Sequence, residues 1–206
     1  MDRYPRILES DLVLAERWGA AALWAPSIEQ IYPHGLESHP PRLQVPLALQ
    51  EHLCGAKRTG HFDGVVAVVA RLLELVRPRQ LWLGEKDWQQ LVILRWLVAH
   101  LALPVTVQGV ATVREADGLA LSSRNQYLSA DQRRMAAALP RALSAALGAG
   151  FDPVPSIRRT LCDAGFDVEY VQRVDPCTLQ PCGPVSYTHL RAHETSLHLV
   201  CRLLLE

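Results

Sequence analysis

Between residues 63 and 110 the chain alternates between helical and extended periodicity, and this alternation constrains its fold more than any other feature. From Asp63 to Val76, apolar side chains at Val65, Val66, Val68, Val69, Leu72, Leu73 and Val76 recur at helical spacing, and Pro78 closes the run. Leu81-Trp82-Leu83 follows, too apolar to be solvated on either face, as strands of a parallel sheet are. Residues 87–101 read as a second helix closed by Pro104, and 105–110 as the next strand. Further upstream, a helix tail over residues 10–18 leads to Ala21-Ala22-Leu23-Trp24, a run ended by Pro26 that suits another buried strand. Strands joined by helices predict an α/β fold with a doubly wound parallel sheet, whose ligands gather beyond the carboxyl ends of the strands.

Other segments are read from turn and cap chemistry. Ser27-Ile28-Glu29-Gln30 and Ser129-Ala130-Asp131-Gln132 both have the capping-box spacing of a helix start. Residues 33–60, with Pro33, Pro40, Pro41, Pro46, Gly55 and Gly60, read as a long surface excursion. Pro140 falls inside the helix expected after Ser129, where an interior proline costs ~3 kcal/mol unless the helix kinks or restarts, so a kink is expected. Residues 166–171, with Val174-Asp175-Pro176 beyond, read as a strand of a smaller second domain.

Lysine plus arginine and aspartate plus glutamate number 21 each, so no global field draws the chain to nucleic acid or to an anionic membrane. Any polyanion must be gripped locally. The five cysteines are odd in number, widely spaced and without a CxxC pair, which argues for free thiols in a reducing compartment. No apolar run approaches the ~20 residues of a membrane span and no signal peptide opens the chain, so a cytoplasmic protein is expected.

A local grip is present. Gly84-Glu85-Lys86-Asp87-Trp88-Gln89-Gln90 lies where a predicted strand gives way to a helix, so backbone amides and the Lys86 charge face an incoming anion. Asp87 either accepts from a ribose hydroxyl or caps the helix, and Gln90 shares its face. Val113-Arg114-Glu115-Ala116-Asp117-Gly118-Leu119-Ala120-Leu121-Ser122-Ser123-Arg124-Asn125 reads as a mobile polar loop. Its serines and arginine can wrap a triphosphate, and the guanidinium can spread over a leaving pyrophosphate. A helix cap with an exposed turn, and a solvated loop before the Ser129 helix, are the bland alternatives.

Taken together with His61-Phe62-Asp63-Gly64-Val65, these two segments resemble pantothenate synthetase, the pantoate–β-alanine ligase family, from about Asp2 to about Pro184. The resemblance implies a ligase in which pantoate attacks the α-phosphate of ATP to give pantoyl adenylate and pyrophosphate, and β-alanine then displaces AMP. It implies ATP with magnesium, a homodimer, and a Rossmann-like domain closed by a smaller α+β lid. Transferred by position, Gly84, Glu85, Lys86, Asp87, Val113, Leu121, Ser122, Ser123 and Arg124 form the ATP site, with Lys86, Ser122, Ser123 and Arg124 catalytic. Gln90 and Arg58 hold pantoate, and no residue is assigned to a metal. Leu121 stands where methionine is common in the family.

The resemblance also leaves gaps. The family's opening strand, its methionine-rich loop and its His-x-Gly-His motif have no counterpart here, so the expected fold is an incomplete Rossmann-like sheet in an N-terminally truncated, poorly active chain. The expected organisation is a partial nucleotide domain over 1–112, a phosphate loop and partial lid over 113–184, and a foreign tail over 185–206. In that tail His189, His193, Glu194 and His198 miss the zinc-helix H-E-x-x-H spacing by one residue, which disfavours a metal site. A non-catalytic ATP-binding or dimerisation fragment is the alternative reading. A nucleotidylyltransferase on the same fold is disfavoured by the glutamine-rich Gly84 segment.

Overall fold

The computed structural model describes residues 8–35, 43–145 and 152–181. The tail assigned to 185–206 lies outside them. The chain divides into two compact units, residues 1–41 and 42–206.

In the first unit, helix α1 (Leu8–Arg17) buries no residue, and α2 (Ile28–Ile31) starts at the expected capping box. The Gln30 amide donates to Ser27 Oγ at 3.3 Å and the Ser27 amide donates to Gln30 Oε1 at 2.8 Å. The strand expected at Ala21–Trp24 does not form: the backbone there is irregular and the side chains are exposed. An apolar run becomes a strand only when a neighbour completes its ladder, and among the described residues none pairs with this one.

The second unit contains the predicted alternation. Helix α5 (His61–Val76) leads through left-handed Arg77 to β1 (Gln80–Gly84), a short 3-10 turn (Glu85–Asp87), helix α6 (Trp88–His100) and β2 (Thr106–Val110). β1 and β2 are parallel, from Gln80 opposite Thr106 to Gly84 opposite Val110. Phe62 and Val66 of α5 pack against Ile93, Leu94 and Leu97 of α6, with Leu83 of β1 beside them. Burying each such side chain stabilises by ~1.5–3 kcal/mol. α6 is buried on nearly all sides, from Gln89 to Val98, which is why its sequence shows length and apolarity rather than an amphipathic stripe. β1 corrects one expectation: its Trp82 face is open, with Trp82 61% exposed.

Residues 33–60 are not merely a surface excursion. They include two short helices, α3 (Leu47–Gln50) and α4 (Leu53–Lys57), and carry buried Val45 and Leu53 into the core. The Val45 amide donates to Asp63 Oδ1 at 2.9 Å, tying this stretch to the first turn of α5. Gly55 is required here, because a Cβ would sit 2.2 Å from the Gln50 carbonyl oxygen.

Helices α7 (Ala130–Ala136), α8 (Ala138–Ala145) and α9 (Val154–Asp163) form a second core with Leu119, Phe166 and Val168. The capping box at Ser129 is present. The break expected from Pro140 falls at Ala137, because the proline lacks an N–H for the Ala136 carbonyl and its ring crowds that group. Residues 166–171 do not form the expected strand; Phe166 and Val168 are buried in irregular backbone, and the nearby pairing is one antiparallel bridge between Val174 and Pro181. Side chains supply the anchoring that a ladder would have given. Trp88 Nε1 donates to the Pro176 carbonyl at 2.9 Å, the Leu53 amide to Gln172 Oε1 at 2.9 Å, and Val174 and Leu179 pack on Leu53 and Val92. No helix among the described residues is long and apolar enough to cross a membrane.

Candidate active site

Because β1 and β2 run parallel and in register, Gly84 and Val110 end side by side. The two segments singled out in the sequence leave from these adjacent carboxyl ends, the place where open parallel sheets bind ligands. Gly84 itself is extended, at φ −66° and ψ 129°, so no unusual backbone angle requires a glycine there. Its contribution is space: a Cβ at Gly84 would meet nothing within 4 Å, leaving the strand end open to approach.

Asp87 bears on the two readings left open for it. It stands at the start of α6 but makes no side-chain capping bond. The surrounding protein raises its carboxyl above the usual aspartate range by desolvation, while Lys86, Arg124 and Arg58 draw it down. These cations come from three separate parts of the chain: the β1–α6 turn, the loop after β2, and the end of α4. Arg58, Lys86 and Arg124 thus all lie within electrostatic reach of one carboxylate, on a residue that keeps an exposed surface. Arg58 also faces Cys54, whose thiol is raised by burial, lowered by Arg58, and raised by Asp87 and Glu169. His61 is lowered by burial and by Arg58, which favours its neutral form.

The two glutamines after Trp88 divide their work. Gln89 is fully buried; its Nε2 donates to the carbonyls of Leu49 at 3.0 Å and His52 at 2.9 Å, and its Oε1 accepts from the Gly55 amide at 3.2 Å. It locks the first turn of α6 to α3 and α4, and so sets the position of Arg58 at the end of α4. Gln90 is half-buried, one residue on, in the same first turn. Glu85 turns its carboxylate over β2, where a Cβ on Gly109 would lie 3.1 Å from its Oε1.

The loop after β2 is not the mobile, solvated segment its composition suggests. Val113 to Leu121 folds back on itself: the Leu121 amide donates to the Val113 carbonyl at 2.8 Å, Glu115 to Leu119 at 2.8 Å, and Gly118 to Glu115 at 2.9 Å. Gly118 closes the turn at φ +89°, a left-handed conformation that a side chain would strain. Leu119 and Ala120 are buried, with Leu119 in the α7–α9 core. Val113 and Leu121 stand exposed beside each other, an apolar pair at the mouth of the site. Beyond them, Ser122 Oγ accepts from the Arg124 amide at 3.3 Å and starts a 3-10 turn over Ser123–Tyr127, with Ser123 exposed.

Residue reading alone missed Gln89, Asn125 and Arg133. Gln89 looks like its neighbour in sequence, and nothing in the string distinguishes the buried glutamine from the accessible one. Asn125 and Arg133 join Glu115 and Asp117 only after the loop has folded back, so no spacing announces them.

The family model for pantoate–β-alanine ligase matches residues 1–203. The chain is 83% identical over 181 residues to a bifunctional pantoate ligase/cytidylate kinase of Synechococcus sp. (strain CC9902), covering 88% of this chain and 38% of that protein. It is 69% identical over 182 residues to the protein so named in Parasynechococcus marenigrum (strain WH8102), covering 88% and 36% respectively. The chain thus spans under two fifths of the length of these curated relatives. Among solved structures, pantothenate synthetase of Thermus thermophilus superposes with a TM-score of 0.77 at 44% identity, over 88% of this chain and 67% of that one. Pantoate-beta-alanine ligase of Francisella tularensis, complexed with beta-gamma ATP and beta-alanine, superposes with a TM-score of 0.74 at 30% identity, over 84% and 64%. The mixed α/β fold with its parallel strand pair is the Rossmann-like fold of these enzymes, and the chain belongs to the pantoate–β-alanine ligase family.

Proposed function

We propose that this chain provides the nucleotide-facing wall of an ATP-dependent ligase that joins pantoate to β-alanine through pantoyl adenylate, releasing AMP and pyrophosphate. The observation that carries the reading is that Gly84 and Val110 end side by side, so that the turn bearing Lys86 and Asp87 and the loop bearing Arg124 leave from adjacent strand ends, with Lys86, Arg124 and Arg58 all acting electrostatically on Asp87. Forming an acyl adenylate needs no covalent protein intermediate. It needs the carboxylate in line with the α-phosphate and compensation of charge as pyrophosphate departs. Lys86 and Arg124 supply that compensation, with Ser122 and Ser123 alongside; Asp87 holds the ribose; Gln90 and Arg58 orient pantoate. Gly84 and Glu85 line the approach, and Val113 and Leu121 offer the purine an apolar seat.

Magnesium fits this donor set as a cation carried in with the nucleotide. Among the described residues no group of three or more His, Cys, Asp or Glu could hold a metal ion, so phosphate oxygens would be its main ligands. When bound, it would neutralise charge on the phosphates. Division into a nucleotide domain to residue 112 and a lid from residue 113, a homodimeric assembly and a cytoplasmic location belong to the same proposal. That lid would shelter the mixed anhydride from water.

The test is release of AMP from ATP and pantoate, with and without β-alanine, alongside ATP binding. The chain is expected to bind ATP, and Lys86→Ala and Arg124→Ala are each expected to weaken binding about tenfold, the loss of one charge-assisted contact. ATP binding with no AMP release under any condition would instead favour a nucleotide-binding fragment. Binding indifferent to both substitutions would remove the site.

A further inference from the structure

Four residues that the reaction itself does not use converge behind the phosphate-facing loop. Arg133 of α7 reaches back to the hairpin: its Nη2 donates to Glu115 Oε2 at 2.7 Å and to Asp117 Oδ1 at 2.9 Å, and its Nη1 to Asp117 Oδ2. Asp117 Oδ1 also accepts from the Leu119 amide at 3.1 Å, fixing the carboxylate to the turn it braces. Asn125, the residue after Arg124, donates through Nδ2 to Glu115 Oε1 at 2.6 Å and to the Ala120 carbonyl at 3.1 Å. The chain therefore runs from α7 through Arg133 to Glu115, and from Glu115 through Asn125 to the backbone next to Arg124.

A guanidinium that must meet a triphosphate gains most when its backbone is set before the ligand arrives, since preorganised charge costs no rearrangement at the moment of reaction. Buried Leu119 and Ala120 anchor one side of the hairpin, and the ionic links anchor its charged side to α7. Asn125 also keeps Oδ1 buried without a hydrogen-bond partner, because both Nδ2 protons are committed to Glu115 and Ala120. An orphan acceptor of this kind is destabilising, a cost tolerated here for a specific orientation.

We propose that Arg133, Glu115, Asp117 and Asn125 are positioning residues, a charged brace that sets Ser122–Arg124 in place for the triphosphate. None of them touches substrate in this proposal; they act through the loop. The inference rests on the site reading above, and its test separates the two.

ATP and adenosine binding are measured by calorimetry on the 206-residue chain and its variants, with circular dichroism as a check on folding. Arg133→Met and Asn125→Ala are expected to weaken ATP about tenfold while adenosine changes less than twofold, because Val113 and Leu121 are joined directly by the Leu121 amide–Val113 carbonyl bond over buried Leu119 and Ala120, and that part of the hairpin survives loss of the brace. Arg133→Lys, which keeps the charge and loses the fork, is expected to fall between wild type and Arg133→Met. Equal losses for ATP and adenosine would show a merely structural role and overturn the proposal. An unchanged ATP affinity in Arg133→Met, with Lys86→Ala still impaired, would overturn the brace and leave the site standing. If Lys86→Ala and Arg124→Ala bind ATP as wild type does, the site reading falls and the brace with it. Should Arg133→Met unfold, Glu115→Gln carries the same expectation with the side-chain shape retained.

Discussion

The two walls of the site are held by different physics. The segment from Gly84 to Gln90 is fixed from behind by the core: Gln89 is fully buried with three hydrogen bonds, and α6 continues from it through Leu91 to Val98 in apolar contact. The loop from Val113 to Asn125 is fixed largely by charge, through Arg133, Glu115 and Asp117, each of which keeps contact with water. The buried contacts behind the first wall carry no charge and do not answer to salt or pH, whereas the ion pairs of the second respond to both. The reacting phosphates would therefore meet one rigid wall and one whose stiffness the solvent can adjust.

The largest effects should come from the core-held wall. Gln89→Leu keeps approximate size but leaves the carbonyls of Leu49 and His52 and the amide of Gly55 without their buried partner. At about 1–3 kcal/mol for each unsatisfied group, a loss of about 3 kcal/mol or more is expected on urea denaturation. A loss below about 1 kcal/mol would show that water or a shift of α4 replaces these bonds, and the contrast between the walls would weaken. Gly55→Ala comes next. Its Cβ would lie 2.2 Å from a backbone oxygen that cannot rotate away, so α3 and α4 must separate, at about 1–3 kcal/mol. Arg58 moves with α4, so its substrate affinity should fall more than adenosine affinity does.

Much of the core-held wall was legible in the sequence, and the reason is local. Helix α5, strand β1, helix α6 and strand β2 each declare themselves by composition and by Pro78 and Pro104, and parallel pairing follows from their order. Both capping boxes also formed as spelled. What escaped depends on partners distant in sequence. Ala21–Trp24 and residues 166–171 have strand-like composition, but composition does not provide a ladder partner. Residues 43–57 carry polar and proline signals of a loop, yet Val45 and Leu53 enter the core because Asp63 and Gln172 accept from their amides. The charge-held wall was legible as a list of phosphate-binding residues and illegible as a braced object, since nothing in the string joins Arg133 to Glu115 and Asp117 before the loop folds back.

Asp87 sharpens the comparison at the point where the walls meet. Desolvation raises its carboxyl despite nearby Lys86, Arg124 and Arg58, so the folded state favours the protonated form relative to the unfolded chain. With the folded value above the unfolded one, ionisation reduces stability as pH rises through that interval, and the deficit persists at neutral pH. Asp87→Asn should therefore melt at a higher temperature than wild type at pH 7 while binding ATP about tenfold more weakly. A melting temperature that falls would mean that the three cations outweigh the desolvation, and that Asp87 holds the walls together rather than being strained between them.

The smallest effect is expected in the charge-held wall itself and is read most directly by pH. Arg133 holds the Asp117 carboxyl down to about 2 from an ordinary value of 3.8, and Arg133 with Asn125 lowers Glu115 as well. A carboxylate whose folded value is depressed stabilises fully above its unfolded value and loses that contribution as pH falls through the folded one. The brace should therefore be intact at neutral pH and weaken between about pH 4 and pH 2. Because these groups face solvent, the energy involved is that of exposed ion pairs, about 0.2–1 kcal/mol each. Hydrogen exchange isolates it: protection of the Leu119 amide, bonded to Asp117, should decline across this interval, while amides of Leu94 and Leu97 in α6 hold their protection until the whole unit opens. One-molar salt at pH 7 should give a similar partial loss, and Arg133→Met should abolish both dependences. If Leu119 protection is flat in pH and salt, the loop is held by its apolar anchor alone, and the two walls are of one kind.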